Sequence, residues 1–152
     1  MHTLRQILFK VTLATVCFTF LFSCKNDDDN NGDNPFLIDP LVNINLNLNL
    51  PEYDALKFPG GTVLIAPPQG IKGVVIYNIN NTEYSAFELS DPNHTPNSCS
   101  RMTIEGIIAT CPCTSDDNSY NIVTGQHETD QNVFPMLRYR AVRNGNNIQV
   151  SN

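Results

Sequence analysis

The chain has 152 residues, of which 15 are acidic and 9 basic, for a net charge of −6. That length suits one small domain, and the acid excess excludes the basic stripe that a nucleic-acid groove needs, so no nucleic-acid partner is expected. Ten prolines, eight glycines and no tryptophan point to short strands and turns. Nothing resembles a Ser-His-Asp nucleophile, a phosphate-cradling Walker loop or a dinucleotide fingerprint. No general base is visible beside a nucleophile, so the chain reads as a non-enzyme.

In chain order, Arg5 and Lys10 precede an apolar stretch from Val11 to Ser23. A basic start followed by a short apolar run is the layout of a secretory signal. It falls short of the roughly 20 residues of a comfortable membrane span. Leu21-Phe22-Ser23-Cys24 then resembles a bacterial lipobox, which implies cleavage before Cys24 and lipidation of its thiol. The competing reading is an uncleaved anchor helix with a chance cysteine. From Lys25 to Asn34 there are four acids and almost no apolar side chain, a composition that cannot bury enough surface to order itself. This segment resembles the surface-export signal of Bacteroidetes lipoproteins; a plain solvated tether is the other reading. The expected organisation is a signal peptide at 1–23, lipidated Cys24 with an acidic tether to 35, and a β domain at 36–152. Acyl chains on Cys24 would hold that domain to the cell envelope, with the outer membrane the expected location, each buried CH₂ contributing about 0.8 kcal/mol. Cys17 lies in the removed segment, leaving Cys99, Cys111 and Cys113 in an oxidising compartment.

The body reads as strands. Val42 to Leu50 alternates apolar and polar at period two, as a half-buried strand does, and Pro51 stops it. Leu56 to Phe58 reads as a short extended piece before the Pro59-Gly60-Gly61 turn. Thr62 to Ile65 is β-branched and apolar. Val74 to Tyr77 and Tyr84 to Phe87 flank Asn80-Asn81 as a hairpin. Ile104 to Ala109 reads as one apolar run, and Tyr120 to Val123 as a strand before the Thr124-Gly125 turn. Leu137 to Arg143 and Asn147 to Val150 bracket Asn144-Gly145, a pair that favours a type I′ turn. No window after Asn34 shows helical periodicity. The expected fold is all-β, a small antiparallel sandwich or barrel. Arg138, Arg140 and Arg143 read either as a solvated strand face or as a docking spot for an acidic partner. His127 reads as a solvated side chain of a polar loop.

Two loops hold the chemistry. One runs Asp91-Pro92-Asn93-His94 and on to Cys99. The other is Cys111-Pro112-Cys113-Thr114, followed by Tyr120, Thr124-Gly125 and the closing hairpin. Here the chain resembles the Rieske iron–sulfur family over roughly residues 42–151. In that family one loop carries Cys-x-His and the other Cys-Pro-x-His, the two cysteines binding one iron of a 2Fe–2S cluster and the two histidines the other. The resemblance implies an all-β fold whose two loops form a ligand-site tip.

At the ligand positions the sequence departs from that pattern. Pro92 stands where the first cysteine belongs and Thr114 where the second histidine belongs. His94 and Cys111 match, one ligand for each iron. The family's high-potential members tie their cluster loops with a disulfide through the second Cys of Cys-Pro-Cys, here Cys113. That implies a Cys99–Cys113 bridge, worth about 3 kcal/mol by loop entropy; Cys99–Cys111 is the competing pairing, and either leaves one thiol over. A set of His94, Cys99, Cys111 and Cys113 is the alternative that could bind zinc or an unusually ligated cluster. Asp91, Asp116 and Asp117 could add oxygen donors, which suit harder ions than a thiol-rich site does. The leading expectation is an envelope lipoprotein, a binding or structural module whose cluster site has decayed and which carries no cofactor. The alternative is a 2Fe–2S electron-transfer protein with unusual ligands. Its partners would be the membrane, through Cys24, and a redox or other envelope protein.

Overall fold

The computed structural model describes residues 34–152; the signal, Cys17, Cys24 and nearly all of the acidic tether lie outside the described residues. The described residues form nine strands. These are β1 (Asn43–Asn47), β2 (Thr62–Ile65), β3 (Val74–Asn78), β4 (Tyr84–Glu88), β5 (Thr103–Glu105), β6 (Ile108–Thr110), β7 (Ser119–Asn121), β8 (Arg138–Asn144) and β9 (Asn147–Ser151). Six of them make an antiparallel sheet in the order β1-β9-β8-β4-β3-β2, and β5-β6-β7 make a second, smaller sheet. The architecture is all-β and antiparallel, as the patterning implies.

Two apolar clusters share β3 and β4. Val74, Ile76, Tyr84 and Ala86 face one, with Ile44, Leu46, Leu48, Leu56, Ile148 and Val150. Val75 and Phe87 face the other, with Leu89, Met102, Ala109, Tyr120, Ile122 and Met136. A strand buried on both faces has no polar side to show, which accounts for the unbroken apolar run in β3. β1, by contrast, alternates buried and exposed along its whole length, because only one face is covered.

Several local expectations are corrected. Leu56 to Phe58 is not an extended piece: Pro51–Lys57 is a 3-10 helix with a proline in its first turn and Leu56 buried. Proline lacks the N–H that the first turn leaves unused, so it starts helical turns readily. The run from Ile104 to Ala109 is broken by Gly106, whose φ of +60° turns the chain between β5 and β6. The last hairpin pairs Asn144 with Asn147, so its two-residue turn is Gly145-Asn146 rather than Asn144-Gly145. Only Gly145 of the two has a positive φ. That excludes type I′, which needs positive φ at both central residues, and matches the glycine-first type II′ preference.

Buried Glu88 joins the sheet to the segment before β3. Its carboxylate accepts from the Ile71, Lys72 and Ser90 backbone N–H groups at 2.7, 2.7 and 3.0 Å, and from the Tyr139 hydroxyl at 2.8 Å. Burial and the neighbouring Glu88 charge push the Tyr139 hydroxyl well above the usual tyrosine range. Among the described residues no helix is long and apolar enough to cross a membrane.

Candidate functional site

The smaller sheet and its flanks present two loops side by side. The first is closed at its base by the Asp91 N–H donating to Ser100 O at 3.0 Å, and the second by the Cys111 N–H donating to Asn118 O at 2.9 Å. Both loops stand on the second apolar cluster, to which Cys111 and Cys113 belong. A Cys99–Cys113 disulfide ties them together, with Cα atoms 5.2 Å apart. Cys111 is left as a free, buried thiol. Of the two pairings open in the sequence, the structure holds Cys99–Cys113. The bridge takes Cys99 and Cys113 out of the candidate ligand set, since a metal is bound by thiolate and not by a disulfide sulfur.

Asp91 organises the first loop and carries no exposed surface. Its carboxylate accepts from the Asn93 N–H (2.8 Å), the Tyr120 hydroxyl (3.0 Å) and the Asn118 amide (3.0 Å). Asn93 in turn donates to the Tyr120 oxygen and to Phe134 O, both at 2.8 Å, and accepts from the Phe134 N–H at 3.0 Å. This network pins both loops and the Phe134 segment to one another. Asn93 and Asn118 gave no sequence signal, because an asparagine in a loop reads first as a turn residue. Asn34 donates to Pro92 O at 2.8 Å, so the chain is already attached to the domain just before the expected start at 36.

His94 is aimed into the space between the loops. Its Nε2 lies 3.4 Å from Cys111 Sγ, 3.4 Å from Asp116 Oδ2 and 3.8 Å from Asp91 Oδ2. Its Nδ1 is 3.0 Å from Thr95 O. Burial, with Asp91 and Asp116 close by, pushes the Cys111 thiol from the ordinary 9.0 up to about 12, against a smaller lowering by the Cys113 backbone N–H. Asp117 is exposed and takes no part. His127 is not simply solvated. Its ring meets Tyr120 edge-to-face at 5.1 Å, and its Nδ1 accepts from the Thr129 and Asp130 N–H groups at 3.3 and 3.0 Å.

The two candidate residues that survive, His94 and Cys111, do come together, from loops that close independently and join through Cys99–Cys113. An antiparallel sheet below carries two loops, joined by a disulfide through the second Cys of Cys-Pro-Cys, with a histidine of the first facing a cysteine of the second. This is the two-loop arrangement that the resemblance to the Rieske family implies.

No family model matches the chain, and no curated protein matches it. Among solved structures it is similar to a chain from the complex of reduced oxygenase and oxidized ferredoxin in carbazole 1,9a-dioxygenase, with 19% identity over 61% of this chain and 82% of that one, TM-score 0.43. It is also similar to the ferredoxin of carbazole 1,9a-dioxygenase from Nocardioides aromaticivorans IC177 (16% identity, 74% and 98% covered, TM-score 0.46). A third is named as a small subunit of an NADH-dependent nitrite reductase from Mycobacterium tuberculosis (18% identity, 75% and 97% covered, TM-score 0.44).

The residues of the Rieske-like tip do not fit the family's four-ligand cluster. Pro92 is buried and Thr114 exposed, and neither offers a thiolate or an imidazole. In the family the histidine and the second-loop cysteine serve different irons, yet here His94 Nε2 and Cys111 Sγ are in direct contact at 3.4 Å.

The arginines of β8 are tied down rather than presented together. Arg138 lies over the Phe87 ring at 4.7 Å and donates to Thr124 O at 3.0 Å. Arg143 donates to Gly145 O, Asn81 O and the Tyr84 hydroxyl. Arg140 stays exposed in a shallow depression with Val142, Asn144, Gln149 and Ser151.

Proposed function

We propose that the chain is a lipid-anchored binding or structural module of the cell envelope: a Rieske-like scaffold clamped by a disulfide, without a 2Fe–2S cluster and without catalysis of its own. The observation that carries this reading is the Cys99–Cys113 bridge across a tip in which Pro92 and Thr114 stand at two ligand positions. The bridge joins the two loops without needing a metal. A disulfide also suits an exported protein, in agreement with the signal-like start and the lipobox-like Leu21-Phe22-Ser23-Cys24.

The non-enzyme reading meets one contrary feature. His94 and Cys111 form a nucleophile–base contact that the sequence did not reveal. An activated cysteine needs an accessible sulfur and a base oriented through its other nitrogen. Thr95 O, 3.0 Å from Nδ1, can orient the ring, but Cys111 is buried and both carboxylates approach the same Nε2 that faces the thiol. The arrangement supports a held site rather than a nucleophile.

The test is iron and acid-labile sulfide analysis of the full-length protein, extracted in detergent and prepared anaerobically, beside its intact mass without reductant. Absence of iron and sulfide, with a mass two hydrogens below the reduced value, is the expected result. Two irons and two sulfides per chain would establish the electron-transfer alternative. A Cys24→Ala variant that still carries acyl mass would overturn the anchor.

A further inference from the structure

The donors at the Rieske-like tip are spaced for one ion. Around a tetrahedral zinc, bonds of about 2.3 Å to sulfur and about 2.1 Å to nitrogen or oxygen set ligand atoms roughly 3.4–3.6 Å apart. His94 Nε2 lies 3.4 Å from Cys111 Sγ and 3.4 Å from Asp116 Oδ2. These donors sit in a group whose ligand atoms all fall within 4.8 Å of one another. The fourth member of that group, Cys113, is committed to the disulfide. Asp91 Oδ2 lies 3.8 Å from the same imidazole nitrogen and already accepts from the Asn118 amide.

A second observation concerns Asp116. Its Oδ1 is buried and has no hydrogen-bond partner. A buried polar atom without a partner is uncommon and costly, and a cation held by that carboxylate would offset the cost. Asp91 is wholly buried, and its carboxylate and that of Asp116 both approach His94 Nε2, at 3.8 and 3.4 Å.

We propose that His94, Cys111 and Asp116 bind a single zinc-class divalent cation. This rests on the reading that the tip holds no 2Fe–2S cluster. Binding displaces the Cys111 proton to solvent and changes no oxidation state. The Cys99–Cys113 bridge stays intact and holds the loops at ligating distance. The rival account is the same set of contacts with nothing bound.

The experiment uses the full chain in detergent, with the disulfide verified by mass. The protein is first assayed for iron and sulfide as isolated, then stripped with a chelator and titrated with Zn²⁺ and with Co²⁺. One Zn²⁺ per chain is expected, with a sulfur-to-cobalt charge-transfer absorption in the Co²⁺ form. Cys111→Ser should abolish that absorption and weaken Zn²⁺ by about 100-fold, and Asp116→Asn by about 10-fold or more. Asp117→Asn, an exposed neighbour, should change neither. Circular dichroism confirms that each variant is folded. Cluster-free protein that binds no stoichiometric Zn²⁺, or that binds it equally well as folded Cys111→Ser, overturns this proposal alone. Two irons and two sulfides per chain would overturn it together with the reading beneath it.

Discussion

Removing the loop clamp should cost the domain a large share of its stability. The bridge joins residues separated by 14 in sequence. Closing a loop of that size in the unfolded chain restricts it by about 3 kcal/mol, against total stabilities of about 5–15 kcal/mol for domains of this kind. With an unfolding entropy of about 2.1 cal/mol/K per residue over about 120 residues, that loss lowers the melting temperature by about 12 °C. The assay is thermal unfolding of wild type and of the Cys99→Ala, Cys113→Ala double variant, followed by far-ultraviolet circular dichroism. Alanine leaves no buried hydroxyl, so the difference reports the cross-link and the small loss of sulfur packing. A melting temperature within about 2 °C of wild type would refute the clamp, as would peptide mapping that places Cys111 in the bridge.

Three further outcomes follow from the packing. Glu88→Ala removes the acceptor of three backbone N–H groups and the Tyr139 hydroxyl, and should cost about 4 kcal/mol in denaturant unfolding, with Glu88→Gln costing less; a loss under about 1 kcal/mol would contradict the bonded network. Gly125 has a φ of +82° and a Cβ there would meet Phe87 Cε1 at 2.5 Å, so Gly125→Ala should destabilise by about 3 kcal/mol through strain and overpacking together, and an unchanged unfolding midpoint would refute that contact. The hydroxyl of Tyr139 is held protonated by burial, above its ordinary 10.0. A group with a raised folded pKa contributes stability in full below its unfolded pKa and loses it as pH climbs toward the folded value. Stability should therefore fall above about pH 10 by up to about 1.4 kcal/mol per pH unit for this group. Tyr139→Phe should flatten that fall, and an identical alkaline profile in the variant would refute the assignment.

Much of the fold was legible residue by residue. Period-two alternation placed β1, β-branched runs placed β2 and β3, and Gly and Asn placed the turns, because these signals depend on neighbours a few positions away. The same local reading missed the 3-10 helix at Pro51–Lys57, where Leu56 is buried by its tertiary surroundings rather than by any period. It also placed the last turn one residue early, since Asn144-Gly145 is a favoured pair but the register of β8 on β9 selects Gly145-Asn146.

The chemistry divides in the same way. Sequence alone determined that Pro92 has no donor and Thr114 only a poor one at the ligand positions the resemblance implies, that His94 and Cys111 carry metal-ligating atoms, and that the body is antiparallel β, because a side chain's donor atoms and a strand's alternation are local properties. Only the tertiary structure decided the rest. It chose Cys99–Cys113 over Cys99–Cys111, buried β3 and β4 on both faces, and brought Asp91, Asp116 and Cys111 to one nitrogen of His94. Those residues span two loops separated by the β5-β6 hairpin. Their distance is set by how the loops close on the sheet beneath them, and no local pattern records it.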